Sequence, residues 1–119
     1  MDASVLAAIA FREPEMYRAA SLIRDMEVHA PVLIDYEMAS IARSKIRREP
    51  ASHEVIIGFL RAMLATDIQR HYVDQVGVVQ LALETGLSSY DASYLYLARH
   101  LDLPLVTFDR QLRAAAEGT

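Results

Sequence analysis

Apolar positions recur along most of this chain at intervals of three and four residues, which is the spacing of amphipathic helices. Acidic residues or proline stand near the start of several of these stretches, and Pro50 or Gly86 stands after two of them, as at natural helix ends. The pattern predicts seven helices, which cover Ser4–Ala10, Glu13–Arg24, Val32–Arg48, Ser52–Leu64, Gln75–Thr85, Ser89–Leu101 and Arg110–Glu117.

Three short segments instead predict extended chain. Val28–Ala30 is ended by Pro31, Ile68–Val73 alternates apolar and polar residues, and Leu105–Phe108 is an apolar run typical of a buried strand. Short strands that alternate with longer helices favour an α/β fold with a mostly parallel sheet. Because no repeat, linker or low-complexity tract interrupts the pattern, we expect residues 1–119 to form a single domain.

The composition narrows the class of protein. A chain of 119 residues that is 53% hydrophobic and 24% charged is too apolar to be disordered, and the lack of Cys excludes disulfides and thiolate catalysis. No apolar stretch has the length of a membrane helix, and no basic leader precedes the first helix, so we expect a soluble cytoplasmic protein. A net charge of -4 means that a nucleic acid would have to bind a local basic patch.

One carboxylate interrupts an apolar helix face. Glu37 lies between Leu33 and Ile41, four residues away on each side, in the long third helix. Burying an unpaired carboxylate costs several kcal/mol by general estimates, roughly 3 or more, so such a position suggests a partner or a function. Asp35 competes for this role because the helix is apolar on more than one face.

Three further acids stand at predicted helix starts. Asp2 and Asp109 precede helices as N-caps would, and Asp91 follows Ser88 with the spacing of a capping box. Each alone favours a structural role. However, strand-to-helix junctions gather at one edge of a parallel sheet, and acids that meet there with Glu37 would need a cation. Oxygen ligands favour hard ions such as Mg²⁺ or Mn²⁺.

Three stretches of the chain carry a family resemblance: DASVLAA at 2–8, YEMAS at 36–40 and SSYDASYLYLARHLDLPLVTFDRQL at 88–112. With the order of helices, they make the chain resemble the PIN-domain ribonucleases, and most closely the VapC toxins. The resemblance implies a PIN-like three-layer α/β/α fold with a small, mostly parallel central sheet. It also implies a catalytic, metal-binding set of Asp2, Glu37, Asp91 and Asp109, with Ser4 and Thr107 as hydrogen-bonding residues beside it.

By the same resemblance, the chain is expected to be an Mg²⁺- or Mn²⁺-dependent endoribonuclease, the toxin of a toxin-antitoxin pair, with RNA as its substrate. A homodimer and a cognate antitoxin are the implied partners. The same acids could instead serve a nuclease for structured DNA. They could also be helix caps in a binding module without catalysis.

Two groups of side chains could contact the RNA. The basic end of the third helix could hold the backbone or could merely balance the helix dipole; it contains Arg43, Lys45, Arg47 and Arg48. Tyr36, Tyr90 and Tyr94 could stack on bases, but packing in the core is the favoured interpretation.

At its N-terminal end this chain departs from the family pattern. Family members usually have several apolar residues, which form the central strand, before the first Asp, whereas only Met1 precedes Asp2 here. Either the chain begins further upstream or its first strand is very short.

Overall fold

The computed structural model of the chain describes residues 1–24 and 27–118. Within these residues helices predominate over strands. The helices are α1 (Ala3–Ala10), α2 (Met16–Ile23), α3 (Leu33–Arg48), α4 (His53–Leu64), α5 (Gln75–Thr85), α6 (Ser89–Leu101) and α7 (Arg110–Glu117). The strands are β1 (His29–Pro31) and β2 (Gln69–His71), and a short 3₁₀ turn spans Pro50–Ser52.

The two strands confirm the predicted parallel sheet in a small form. β1 pairs with β2 in parallel, with His29 opposite Gln69 and Pro31 opposite His71. β2 is shorter than the predicted Ile68–Val73 segment because its partner strand has only three residues.

The prediction of a strand over Leu105–Phe108 is wrong. This segment has no strand partner, and Asp2 N donates to Val106 O at 3.1 Å. On the other side, Met1 N donates to His29 O of β1 at 3.2 Å. Met1 and Asp2 thus lie between β1 and the Leu105–Phe108 segment. Since α1 already begins at Ala3, they are too few to form the ladder that a strand requires.

Helix α2 begins later than predicted. Glu13 N donates to Ala8 O, and Met16 N donates to Glu13 O, each at 2.9 Å. These bonds form the turn between α1 and α2, in which Arg12 has a positive φ of 51°. The acids that were predicted to open the helix therefore belong to this turn.

The core lies where α1, α3, α5 and α6 meet. Ile34, Met38 and Leu95 are among its fully buried side chains, and Leu112 anchors α7 to it. At Gly77 a Cβ atom would lie 2.6 Å from the ring of Tyr96, so a larger residue there would require the Tyr96 side chain to move.

In the described part of the chain, no helix is long and apolar enough to cross a membrane.

Candidate active site

The buried carboxylate of Asp2 is the centre of the site. Asp2 is the N-cap of α1 and is only 6% exposed. Its Oδ1 accepts bonds from Ser4 N at 3.2 Å and Ser4 Oγ at 2.6 Å, and its Oδ2 accepts one from Thr107 Oγ1 at 2.5 Å. All of these hydrogen-bond donors are neutral, so they orient the carboxylate of Asp2 without supplying a counter-charge.

The hydroxyls of Ser4 and Thr107 join Asp2 to the start of α7. Ser4 Oγ accepts a bond from Phe108 N, and Thr107 Oγ1 accepts one from Asp109 N, each at 3.0 Å. Each hydroxyl therefore donates to the carboxylate and accepts from the backbone that leads into α7. This arrangement holds the N-termini of α1 and α7 next to each other.

Asp109 and Asp91 come from two other helix starts. Asp109 is the exposed N-cap of α7, and its Oδ1 accepts from Leu112 N at 2.8 Å. Asp91 lies in the first turn of α6, where its backbone N donates to Ser88 Oγ at 3.1 Å. The capping roles expected from the sequence are thus present, and the positive ends of three helices stabilise the acids gathered there.

Glu37 completes the group, whereas Asp35 does not join it. Glu37 is half-buried on α3, and its Oε1 accepts a short hydrogen bond from the hydroxyl of Tyr94 on α6. Asp35 instead accepts from Arg70 Nε of β2, at 2.9 Å to each carboxylate oxygen. Helical periodicity alone did not decide between Asp35 and Glu37, and in the structure the two acids have different partners.

Burial and mutual repulsion perturb these acids. Burial raises the pKa of Glu37, the charges of Asp91 and Asp2 raise it further, and the Tyr94 hydrogen bond counteracts part of this shift. Burial likewise raises the pKa of Asp91, with added repulsion from Asp109 and Asp2. Asp91 and Asp2 thus repel Glu37, Asp109 and Asp2 repel Asp91, and a cation among these acids would relieve the repulsion.

The donor set suits a hard divalent ion. All four side chains offer oxygen atoms, which Mg²⁺ and Mn²⁺ prefer. Within residues 1–24 and 27–118, no three acidic or histidine side chains are close enough to bind one ion together. Mg²⁺ usually keeps several waters and takes one or two carboxylates, so the arrangement fits an ion held partly through water. Which of the acids bind an ion stays a prediction.

The basic end of α3 lies away from the acids. From Glu37 to Arg48 the helix rises about 16 Å, at 1.5 Å per residue. Arg43, Arg47 and Arg48 are exposed there. Lys45 is engaged elsewhere, because its Nζ pairs with Glu13 Oε2 at 2.8 Å and lies 5.6 Å from the centre of the Phe11 ring.

The expectation that all three singled-out tyrosines pack in the core is wrong for two of them. Tyr36 is 74% exposed and Tyr90 is 63% exposed, since both lie on solvent-facing sides of their helices. Tyr94 is buried, but its hydroxyl contacts Glu37, a role that the sequence analysis missed. The only sequence signal was its position three residues after Asp91, on the same side of α6.

A cleft of about 460 Å³ is lined by sequence neighbours of three of the acids, although none of the four acids lines it. Its lining includes Ser4 beside Asp2, Phe108 beside Asp109, and Ile41 one turn after Glu37. Arg18, which no sequence pattern singled out, lines this cleft with its guanidinium 5.0 Å from the centre of the Phe108 ring. Glu13 and Glu15 contribute acidic side chains to the same cleft.

Residues 1–118 match the PIN domain family, so the chain belongs to that family. Its resemblance to PIN-domain proteins, inferred from three sequence segments, is thereby confirmed. The chain is also similar to the protein in the crystal structure of PAE2754 from Pyrobaculum aerophilum, with a TM-score of 0.78 and 28% identity over 99% of this chain and 85% of that one. The PIN-like fold class is confirmed, and in the described residues its sheet consists of β1 and β2.

Named relatives carry the VapC designation. Ribonuclease VapC3 from Pyrobaculum aerophilum is 31% identical over 94% of this chain and 89% of its own length. Ribonuclease VapC1 from Mycobacterium tuberculosis is 30% identical over 95% of this chain and 86% of its own length. Exonuclease VapC9 from Pyrobaculum aerophilum is 51% identical over a shorter segment, 34% of this chain and 31% of the relative. These relatives support a PIN nuclease.

Proposed function

We propose that this protein is a metal-dependent endoribonuclease and the toxin of a VapBC-type toxin-antitoxin pair. The observation that carries the proposal is the convergence of four acids from distant parts of the chain. Three of them, Asp2, Asp91 and Asp109, lie at the starts of different helices, and Glu37 faces them from α3. The relatives named ribonuclease support RNA as the substrate.

In this proposal Asp2, Asp91 and Asp109 would hold Mg²⁺ or Mn²⁺ partly through bound water, since no three acids in the described part of the chain are close enough to bind one ion directly, and Glu37 would complete the set or orient the attacking water. A bound ion would lower the pKa of a water molecule and polarise the phosphoryl oxygen. Ser4 and Thr107 keep both oxygens of Asp2 oriented through their hydroxyl donors. No covalent nucleophile is required.

The RNA backbone would bind outside the acidic group. Arg43, Arg47 and Arg48 are exposed and available to phosphates at the far end of α3, while Lys45 contributes less because Glu13 already pairs with it. Arg18 offers a further cation, in the cleft that Ser4 and Phe108 also line. Since the protein carries a net charge of -4, binding would depend on these local cations.

The proposed partners are a cognate antitoxin and a second copy of the chain, acting in the cytoplasm. The VapC designation of the relatives supports the antitoxin. An exposed apolar stripe of Val76, Val79 and Leu83 on α5 supports the homodimer. Glu84 is the one charged residue of this helix, so two copies could meet there without many like charges in contact.

The decisive test is cleavage of single-stranded RNA by antitoxin-free protein with Mg²⁺, with Mn²⁺ and with a chelator. We expect ion-dependent internal cleavage. The rate should fall roughly 100-fold or more in Asp91→Asn and Asp109→Asn, because these changes remove proposed ligands of an ion that contributes several kcal/mol to transition-state stabilisation. Asp74→Asn is the matched control, because Asp74 caps α5 by accepting from Val76 N at 3.2 Å but is not among the grouped acids. It should cleave normally.

The other outcomes point to the alternative functions. Cleavage of structured DNA but not of RNA would support the DNA nuclease. A protein that cuts neither substrate and gains no thermal stability from either ion would support the binding module and would refute the proposed catalysis.

A further inference from the structure

Tyr94 occupies a boundary between apolar and acidic surroundings. It is 3% exposed and lies on α6, three residues after Asp91. Its side chain borders an apolar cavity of about 290 Å³, which Met1, Leu97 and Val106 also line. The hydroxyl, in contrast, donates to Glu37 Oε1. The phenol thus joins the core to the acidic group.

Glu37 needs such a partner to stay near the other acids. The torsion that sets a glutamate carboxylate is broad and has no single preferred angle. The charges of Asp2 and Asp91 oppose the charged form of Glu37, so repulsion favours turning the carboxylate away toward solvent. A neutral hydroxyl donor can hold it in place without adding a cation that would compete with a metal ion.

We infer that Tyr94 is a positioning residue, whose hydroxyl holds Glu37 toward Asp2 and Asp91 for ion binding. This inference rests on the proposed function. Tyr94 acts through Glu37 because its own side chain is too buried to contact a substrate. Since Asp91 and Tyr94 share α6, one helix supplies an acid and also orients the acid that comes from α3.

The test compares ion affinity in the wild type and in Tyr94→Phe, with Mg²⁺ and Mn²⁺ as probes in isothermal titration and in thermal shift. Phe keeps the ring and removes only the hydroxyl. Loss of a group that orients a metal ligand typically weakens binding by about 10- to 100-fold, which is the expected effect. Tyr96→Phe is the matched control, since Tyr96 lies on the same helix with its ring stacked on His100, and it should bind like the wild type.

A second comparison separates positioning from general stability. In a Glu37→Ala background, Tyr94→Phe should weaken ion binding by less than about twofold, because the residue through which Tyr94 acts is absent. An equal loss in both backgrounds would overturn the inference. So would a Tyr94→Phe protein that fails to fold without ions, because the hydroxyl would then serve stability.

The inference and the proposed function can fail separately. If the wild type binds the ions and cleaves RNA but Tyr94→Phe matches Tyr96→Phe, the positioning role is refuted and the nuclease proposal stands. If the wild type binds neither ion, both are refuted.

Discussion

Replacing Thr107 with Val should destabilise the protein far more than an ordinary threonine substitution. Thr107 is 3% exposed, and its hydroxyl donates to Asp2 Oδ2 at 2.5 Å while accepting from Asp109 N at 3.0 Å. Val has nearly the same shape but can make neither bond. The substitution therefore leaves one oxygen of a buried carboxylate without its donor.

The magnitude follows from the type of bond that is lost. A hydrogen bond to a charged group contributes about 1.5–3 kcal/mol. Because the N–H of Asp109 loses its acceptor as well, we expect a total loss of about 2–3 kcal/mol. Unfolding entropies of about 2.1 cal/mol/K per residue imply roughly 0.25 kcal/mol per degree for this chain length. The melting temperature should therefore fall by roughly 10 °C.

The assay is thermal unfolding at neutral pH without divalent ions, with Thr85→Val as the matched control. Thr85 Oγ1 also makes two bonds, donating to Leu81 O at 2.8 Å and accepting from Leu87 N at 3.3 Å, but neither involves a charge. Its substitution should cost about 1 kcal/mol, or roughly 4 °C. Thr107→Ser should retain much of the stability. Equal losses in the two Val variants would refute the assigned importance of the Asp2 bond.

Three further predictions concern charge and association. Folding raises the pKa of Asp91 and Glu37, so the folded protein favours their protonated forms, and its stability without divalent ions should fall as the pH rises above the unfolded pKa values. Asp91→Asn should therefore raise the melting temperature at neutral pH. A lower melting temperature would contradict the repulsion among the acids. In RNA titrations at several salt concentrations, Arg18→Ala should weaken binding and reduce the slope of log affinity against log salt by about 0.7. Arg61→Ala on α4 should change neither the affinity nor the slope. Leu83→Arg should give a folded monomer by light scattering if α5 forms the dimer, and an unchanged mass would exclude that interface.

Local signals determine how well each element was predicted. α5 and α7 begin and end where the sequence placed them, because their Asp N-caps and the glycine after α5 act within a few residues. Gly86 adopts a φ of 77°, a conformation that glycine accepts readily. Leu105–Phe108 has the apolar composition of a strand, yet a strand also needs a partner elsewhere in the chain, and that pairing is not written in the segment itself.

The choice between Asp35 and Glu37 shows the same limit within the site. Helical periodicity places both acids on a helix with apolar residues on more than one face. What separates them is Arg70, which lies 35 positions beyond Asp35 and reaches it only because β2 pairs with β1. The family resemblance pointed to Glu37 because it matches the segment YEMAS at 36–40 to a family motif, whereas helical spacing alone gives no information on the contact with Arg70.

Helix capping and ion binding are alternative roles for Asp2, Asp91 and Asp109 in the sequence, but the two roles are compatible in the structure. Asp109 caps α7 through Oδ1, which leaves its second oxygen for another ligand. A cap places a carboxylate at the positive end of a helix, and three such ends converge here. The convergence depends on how the helices pack, which the caps do not encode. The bond from Thr107 Oγ1 to Asp2 and the bond from Phe108 N to Ser4 Oγ carry that information, since each connects residues at opposite ends of the chain.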